Sequence, residues 1–154
     1  MVVACIVLII GIAGADLLGK RYIEEHFHNN QTEEIAGGKI QLRKVHNQGF
    51  ALNRLDEKPD TVKNLSFAAT VAAFLYELWL FRKPGNHMGK IGLALMSGGA
   101  VSNTYDRIKR GYVVDYIGFP LKKEKYARIT YNIGDFAIFT GAILMCVGSL
   151  GKRK

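Results

Sequence analysis

The sequence predicts an all-α membrane protein: four transmembrane helices with a small extracellular β element, forming one membrane domain over residues 1–154. Three observations predict this. Apolar residues gather in four blocks, charged residues fall between the blocks, and the blocks lack a polar face of helical period. A mean hydropathy of +0.06 averages these contrasts away. A bilayer core about 30 Å thick takes about 20 residues of helix, the length these blocks approach. A soluble helical bundle is the alternative, and stretches such as MVVACIVLIIGIAGA and FAIFTGAILMCVGSLG, apolar all round, argue against it.

The first block predicts a helix over 1–19, with Asp16 its only charge. MVVACIV lacks the basic start of a secretory signal peptide, so the block is expected to stay in the protein. The second predicts a helix over 64–82, where Glu77 reads as an interfacial residue near Trp79 and Arg82. The third, rich in Gly and Ala, predicts a helix over 88–108 of the kind that packs backbone to backbone. The fourth predicts a helix over 130–150 with Asp135 inside it. Segments 20–63 and 109–129 then share one side, where KIQLRKV gives a weak strand signal and YVVDYIGF a stronger one. Arg82, Lys83, Lys90 and the GKRK tail favour cytoplasmic termini.

The net charge of +8 lies in loops flanking apolar spans, which suits anionic lipid headgroups better than nucleic acid. Cys5 and Cys146 fall in apolar blocks and read as small buried hydrophobes. The histidines of EEHFHNN lack metal-ligand spacing, and no glycine-rich phosphate loop follows a strand. No metal and no cofactor are expected.

Chain parity brings polar residues together. With alternating spans, Asp16, then Asn103, Asp106 and Arg107, then Asn132 and Asp135 fall at one leaflet. NTYD and NIGD are both N-x-x-D, a spacing that sets Asn and Asp on one helical face. Taken alone, Asp135 could be a helix-start signal and Asp106 beside Arg107 a solvated interfacial pair. Two close carboxylates, however, resist joint ionisation, so one keeps a proton while the other acts as base. That is aspartic-protease chemistry. Intramembrane carboxylates also mark proton relays, which remain an alternative, although a relay needs polar groups spread through the bilayer depth.

Four motifs, in order, resemble the signal peptidase II (lipoprotein signal peptidase) family: ADLLGK, VHNQGFALN, SGGAVSNTYDRIKRGYVVDYIGF and YNIGDFAIFTG. The resemblance implies an aspartic endopeptidase of the bacterial plasma membrane, working as a monomer near the outer leaflet. It implies a diacylglyceryl-modified prolipoprotein as substrate, cleaved before the lipidated cysteine. Asp106 and Asp135 would form the catalytic dyad, and Asn103 and Asn132 would orient it. Arg107 with Asn47 and Gly49 would hold the substrate backbone. Asp16, Lys20 and Asp115 would be structural supports. Ser102 stands where the family usually has Gly, Gly134 where Ala is common, and Phe50 and Leu52 where Ala and Phe are usual. Ser102 and Phe50 keep open a non-catalytic relative that binds lipidated proteins or acts as a scaffold.

Overall fold

The computed structural model describes residues 1–28, 31–49 and 58–150. Phe50 and Leu52 lie outside the described residues, as does the GKRK tail. Four long helices carry the fold: α1 (Val2–His26), α2 (Pro59–Phe81), α3 (His87–Arg110) and α5 (Ile133–Leu150). The short α4 (Glu124–Ala127) and strands β1 (Thr32–Ile35), β2 (Ile40–Asn47), β3 (Val113–Gly118) and β4 (Thr130–Tyr131) complete it.

α1, α2 and α5 are long and apolar enough to cross a membrane; α3 is not. The reason is position. α3 is the central helix, packed by α1, α2 and α5, and most of its buried residues are small or polar, Ser97, Gly98, Gly99 and Ser102 among them. A helix surrounded by helices needs no lipid-facing apolar surface. Glycines set its distance from α5. A Cβ on Gly92 would run into the Gly141 carbonyl, and one on Gly141 would press on Met96. α2 leans on α3 and scarcely touches α5.

The bounds shift from the sequence expectation for local reasons. α1 runs seven residues beyond 19, because its last turns meet the sheet: Lys44 donates to the Glu24 and Phe27 carbonyls at 3.2 and 3.1 Å. α2 starts earlier, with Pro59 in its first turn, where a missing N–H costs nothing. Glu77 is not interfacial but buried, with Oε2 accepting from Ser97 Oγ at 3.2 Å. Cys5 is buried, whereas Cys146 lies on the exposed face of α5.

The two expected strands, β2 and β3, pair antiparallel with each other. The sheet is larger than expected. It has four antiparallel strands in the order β1-β2-β3-β4, so the all-α description holds for the bundle only. Acidic TEEI hid β1, which a tight turn with Ala36, Gly37 and Gly38 at positive φ folds back onto β2. Gly111, with φ of 81°, ends α3 and turns the chain into β3. Ile23, Phe27, Val114 and Tyr116 then form a core between the end of α1 and the sheet.

Candidate active site

The fold gathers Asp16, Lys20, Asn103, Asp106, Asn132 and Asp135 at one end of the bundle, and it adds Asp115 from the sheet. The two N-x-x-D motifs are not equivalent. Asn132 lies just before α5 and forms a capping box: its N–H donates to Asp135 Oδ2 at 3.1 Å, and the Asp135 N–H donates to Asn132 Oδ1 at 2.9 Å. Asn103 and Asp106 lie inside α3 and point to different partners. Asn103 Nδ2 donates to Asp135 Oδ1 at 2.9 Å, and Asn103 Oδ1 accepts from Asn132 Nδ2 at 3.1 Å.

The expected pairing of Asp106 with Asp135 is not the one the fold assembles. Asp106 is fully buried. Its Oδ1 accepts from Arg110 at 2.9 Å, its Oδ2 accepts the Val114 N–H at 3.1 Å, and Lys20 Nζ lies 3.4 Å away. It braces the start of β3 and does not line the cavity described below. Asp115, one residue after Val114, faces Asp135 instead. Asn132 Nδ2 donates to Asp115 Oδ1 at 2.7 Å, and Asn47 Nδ2 donates to Asp115 Oδ2 at 3.0 Å. Asn132 thus touches both carboxylates, one through its side chain and one through its backbone.

Burial, and then the charge of Asp135, push the Asp115 carboxyl up to about 7, against the pull of Asn47, Asn132 and Lys20. Desolvation and a like charge act in the same direction here. At neutral pH the group stands near half-protonation.

Lys20 and Asp16 form an i,i+4 pair at 2.7 Å with both side chains fully buried. Breaking such a pair leaves an uncompensated charge and typically costs about 3–5 kcal/mol. Asp16 also accepts from Tyr116 Oη at 2.9 Å and from Ser102 Oγ at 2.6 Å. Burial, with Asp16 beside it, pushes the Tyr116 phenol upward, so it stays a donor. Ser102 therefore enters the network rather than disturbing it. Arg107 donates to the Gly49 carbonyl at 2.8 Å, and the Gly49 N–H donates to Asn47 Oδ1 at 3.0 Å. Arg107, Asn47 and Gly49 thus come together, with the Gly49 backbone already paired.

A cavity of about 1080 Å³ opens in front of the two aspartates. Asn47, Asn103, Arg107, Asp115 and Asp135 form its polar end, and Ala69 of α2 with Phe139 and Ala142 of α5 continue it along the bundle as an apolar channel. Sequence reasoning missed Asp115 as the partner of Asp135. The signal was there: an acid inside the β-branched run VVDYIG sits on a strand that holds it among buried neighbours. Among the described residues, no group of three His, Cys, Asp or Glu side chains could hold a metal ion.

Apolar helices holding two amide-bridged carboxylates beneath a small sheet define the class: a helical membrane protein with a buried carboxylate pair at one end of its bundle. The family described as Signal peptidase (SPase) II matches residues 7–151. A lipoprotein signal peptidase from Moorella thermoacetica is 30% identical over 135 residues, covering 88% of this chain and 85% of the relative. One from Brucella ovis is 35% identical over 139 residues, covering 88% and 84%. Two solved structures, both described as a bacterial membrane enzyme determined by the in meso method at 2.3 and 1.9 Å, share the fold with TM-scores of 0.84 and 0.81. Each is 22% identical and covers all of this chain, and 94% and 96% of the solved chains are matched. The chain belongs to the signal peptidase II family, a family of membrane proteases.

Proposed function

We propose that this protein is an aspartic endopeptidase that removes signal peptides from diacylglyceryl-modified prolipoproteins, cutting before the lipidated cysteine, with Asp115 and Asp135 as its two catalytic carboxylates. The observation that carries the assignment is the bridge made by Asn132, which donates to Asp115 and to Asp135 at one end of a cavity. One carboxyl holds a proton and the other accepts one from water. The water attacks the scissile carbonyl, and the protonated carboxyl then delivers its proton to the leaving amine. Asn103 and Asn132 fix the carboxylates. Arg107, with Asn47 and Gly49, frames the polar end where the substrate backbone is held. The apolar channel beside it suits the signal peptide and acyl chains.

In this reading α3 is the fourth span, the termini are cytoplasmic, and the site lies near the outer leaflet of a bacterial plasma membrane. The enzyme works as a monomer. A serine–lysine mechanism has the atoms but not the access. Ser102 Oγ lies 3.0 Å from Lys20 Nζ, yet both side chains are fully buried, neither lines the cavity, and Lys20 is paired to Asp16.

The test is cleavage of a purified diacylglyceryl-modified prolipoprotein by the protein in detergent or nanodiscs. Asp115→Asn and Asp135→Asn each remove cleavage, by a factor of about 10³ or more, since either change deletes an acid–base group. Asp106→Asn lowers thermal stability and retains measurable cleavage, because Asp106 holds the strand and not the substrate. Full activity in Asp115→Asn would overturn the dyad, and inactivity of the folded native protein would overturn the protease reading.

A further inference from the structure

Ser102 and Gly134 sit on different helices, α3 and α5, and both converge on one atom. Ser102 Oγ donates to Asp16 Oδ2 at 2.6 Å and accepts from Lys20 Nζ at 3.0 Å. A Cβ built on Gly134 would lie 2.9 Å from the same Asp16 Oδ2 and 3.1 Å from Asn132 Oδ1. Asp16, held also by Lys20 and Tyr116, thus meets a hydroxyl on one neighbour and no side chain at all on the other.

That position reaches Asp135 through a chain of donors with a fixed sense. An ammonium group only donates, through three N–H bonds. Lys20 directs its short contacts to Asp16 Oδ2, Ser102 Oγ and Asn103 Oδ1, the last at 2.7 Å, with Asp106 Oδ2 farther off at 3.4 Å. Asn103 Oδ1 also receives Asn132 Nδ2. With two donors on one end, the Asn103 amide has its other end, Nδ2, left to donate to Asp135 Oδ1. A reversed amide would set NH₂ against an ammonium and a second amide NH₂.

We propose that Ser102 and Gly134 are a coupled pair of positioning residues: together they hold Asp16 and Lys20 so that Lys20 fixes which end of the Asn103 amide faces Asp135. Neither residue touches substrate. The proposal rests on the reading of Asp135 as a catalytic carboxylate, and it predicts that the two positions do not act independently. Removing the hydroxyl loosens Asp16 and opens room beside Oδ2. Adding a methyl at 134 crowds that oxygen, and crowding is tolerated better once the hydroxyl has gone.

The experiment uses the full chain in nanodiscs as native protein, Ser102→Gly, Ser102→Ala, Gly134→Ala and the double Ser102→Gly/Gly134→Ala. Two readouts are taken: steady-state cleavage of a lipidated prolipoprotein, and the side-chain amide resonance of Asn103 in asparagine-labelled protein. Each single change is expected to lower kcat about tenfold with little effect on KM, as a displaced catalytic group does. The double variant is expected to lose less than the product of the single losses. The Asn103 resonance is expected to move in each single variant. Losses that multiply, or an Asn103 resonance unmoved by Ser102→Ala, would overturn the pair. Were the folded native protein inactive, the protease reading would fail while the resonance still decided whether Ser102 positions Asn103.

Discussion

Asn132 holds two carboxylates with one residue, and the geometry carries a pH signature. Asp115 stands near 7 in the folded protein against an ordinary value of 3.8, so between those values the folded state binds more proton than the unfolded state. The contribution of Asp115 to stability is therefore full below about 3.8, declines as pH rises through that window, and is spent above about 7. Cleavage that needs its proton should fall as pH rises through about 7. The Asn47 amide favours the ionised form by donating to Oδ2. Asn47→Ala should thus move the alkaline limb of the rate profile upward, on the order of one pH unit, the worth of one hydrogen bond to a charge. A pH–rate series on both proteins checks this, and an alkaline limb that moves down would refute the assignment.

At the scale of elements, α3 and α5 do the positioning. They carry Asn103 and Asp135, and their approach depends on Gly92 and Gly141 having no side chains to separate them. Gly92→Val drives two methyl groups toward the Gly141 carbonyl and should cost about 1–3 kcal/mol, seen as a lowered melting midpoint in detergent. Much of this was legible in the sequence. Small residues in the third and fourth blocks foretold close helix packing, and YVVDYIGF foretold β3. The equivalence of the two N-x-x-D motifs was not legible as false. The same spacing serves a helix interior at Asn103 and a capping box at Asn132, and only the start of α5 at Ile133 separates the two. Nor could the sequence reveal the register that pairs Val45 with Asp115 and so sets Asn47 within reach of it.

For the whole molecule, chain parity was enough to bring distant polar residues to one end of the bundle, because alternating helices leave few choices. Which carboxylates face each other was beyond that argument. It depends on Asp106 being consumed by Arg110, Lys20 and the Val114 N–H, a set of contacts made between elements. The gap between α2 and α5 has a consequence for how the reaction is measured. In the function proposed above, a cavity flanked by two apolar helices that stand apart would admit its substrate sideways, so for a lipid-anchored substrate the bilayer would be the solvent. Turnover should then follow the number of substrate molecules per lipid rather than per litre. Adding inert phospholipid at constant volume, protein and substrate should slow cleavage, while diluting the whole vesicle suspension with buffer should leave the rate per enzyme unchanged.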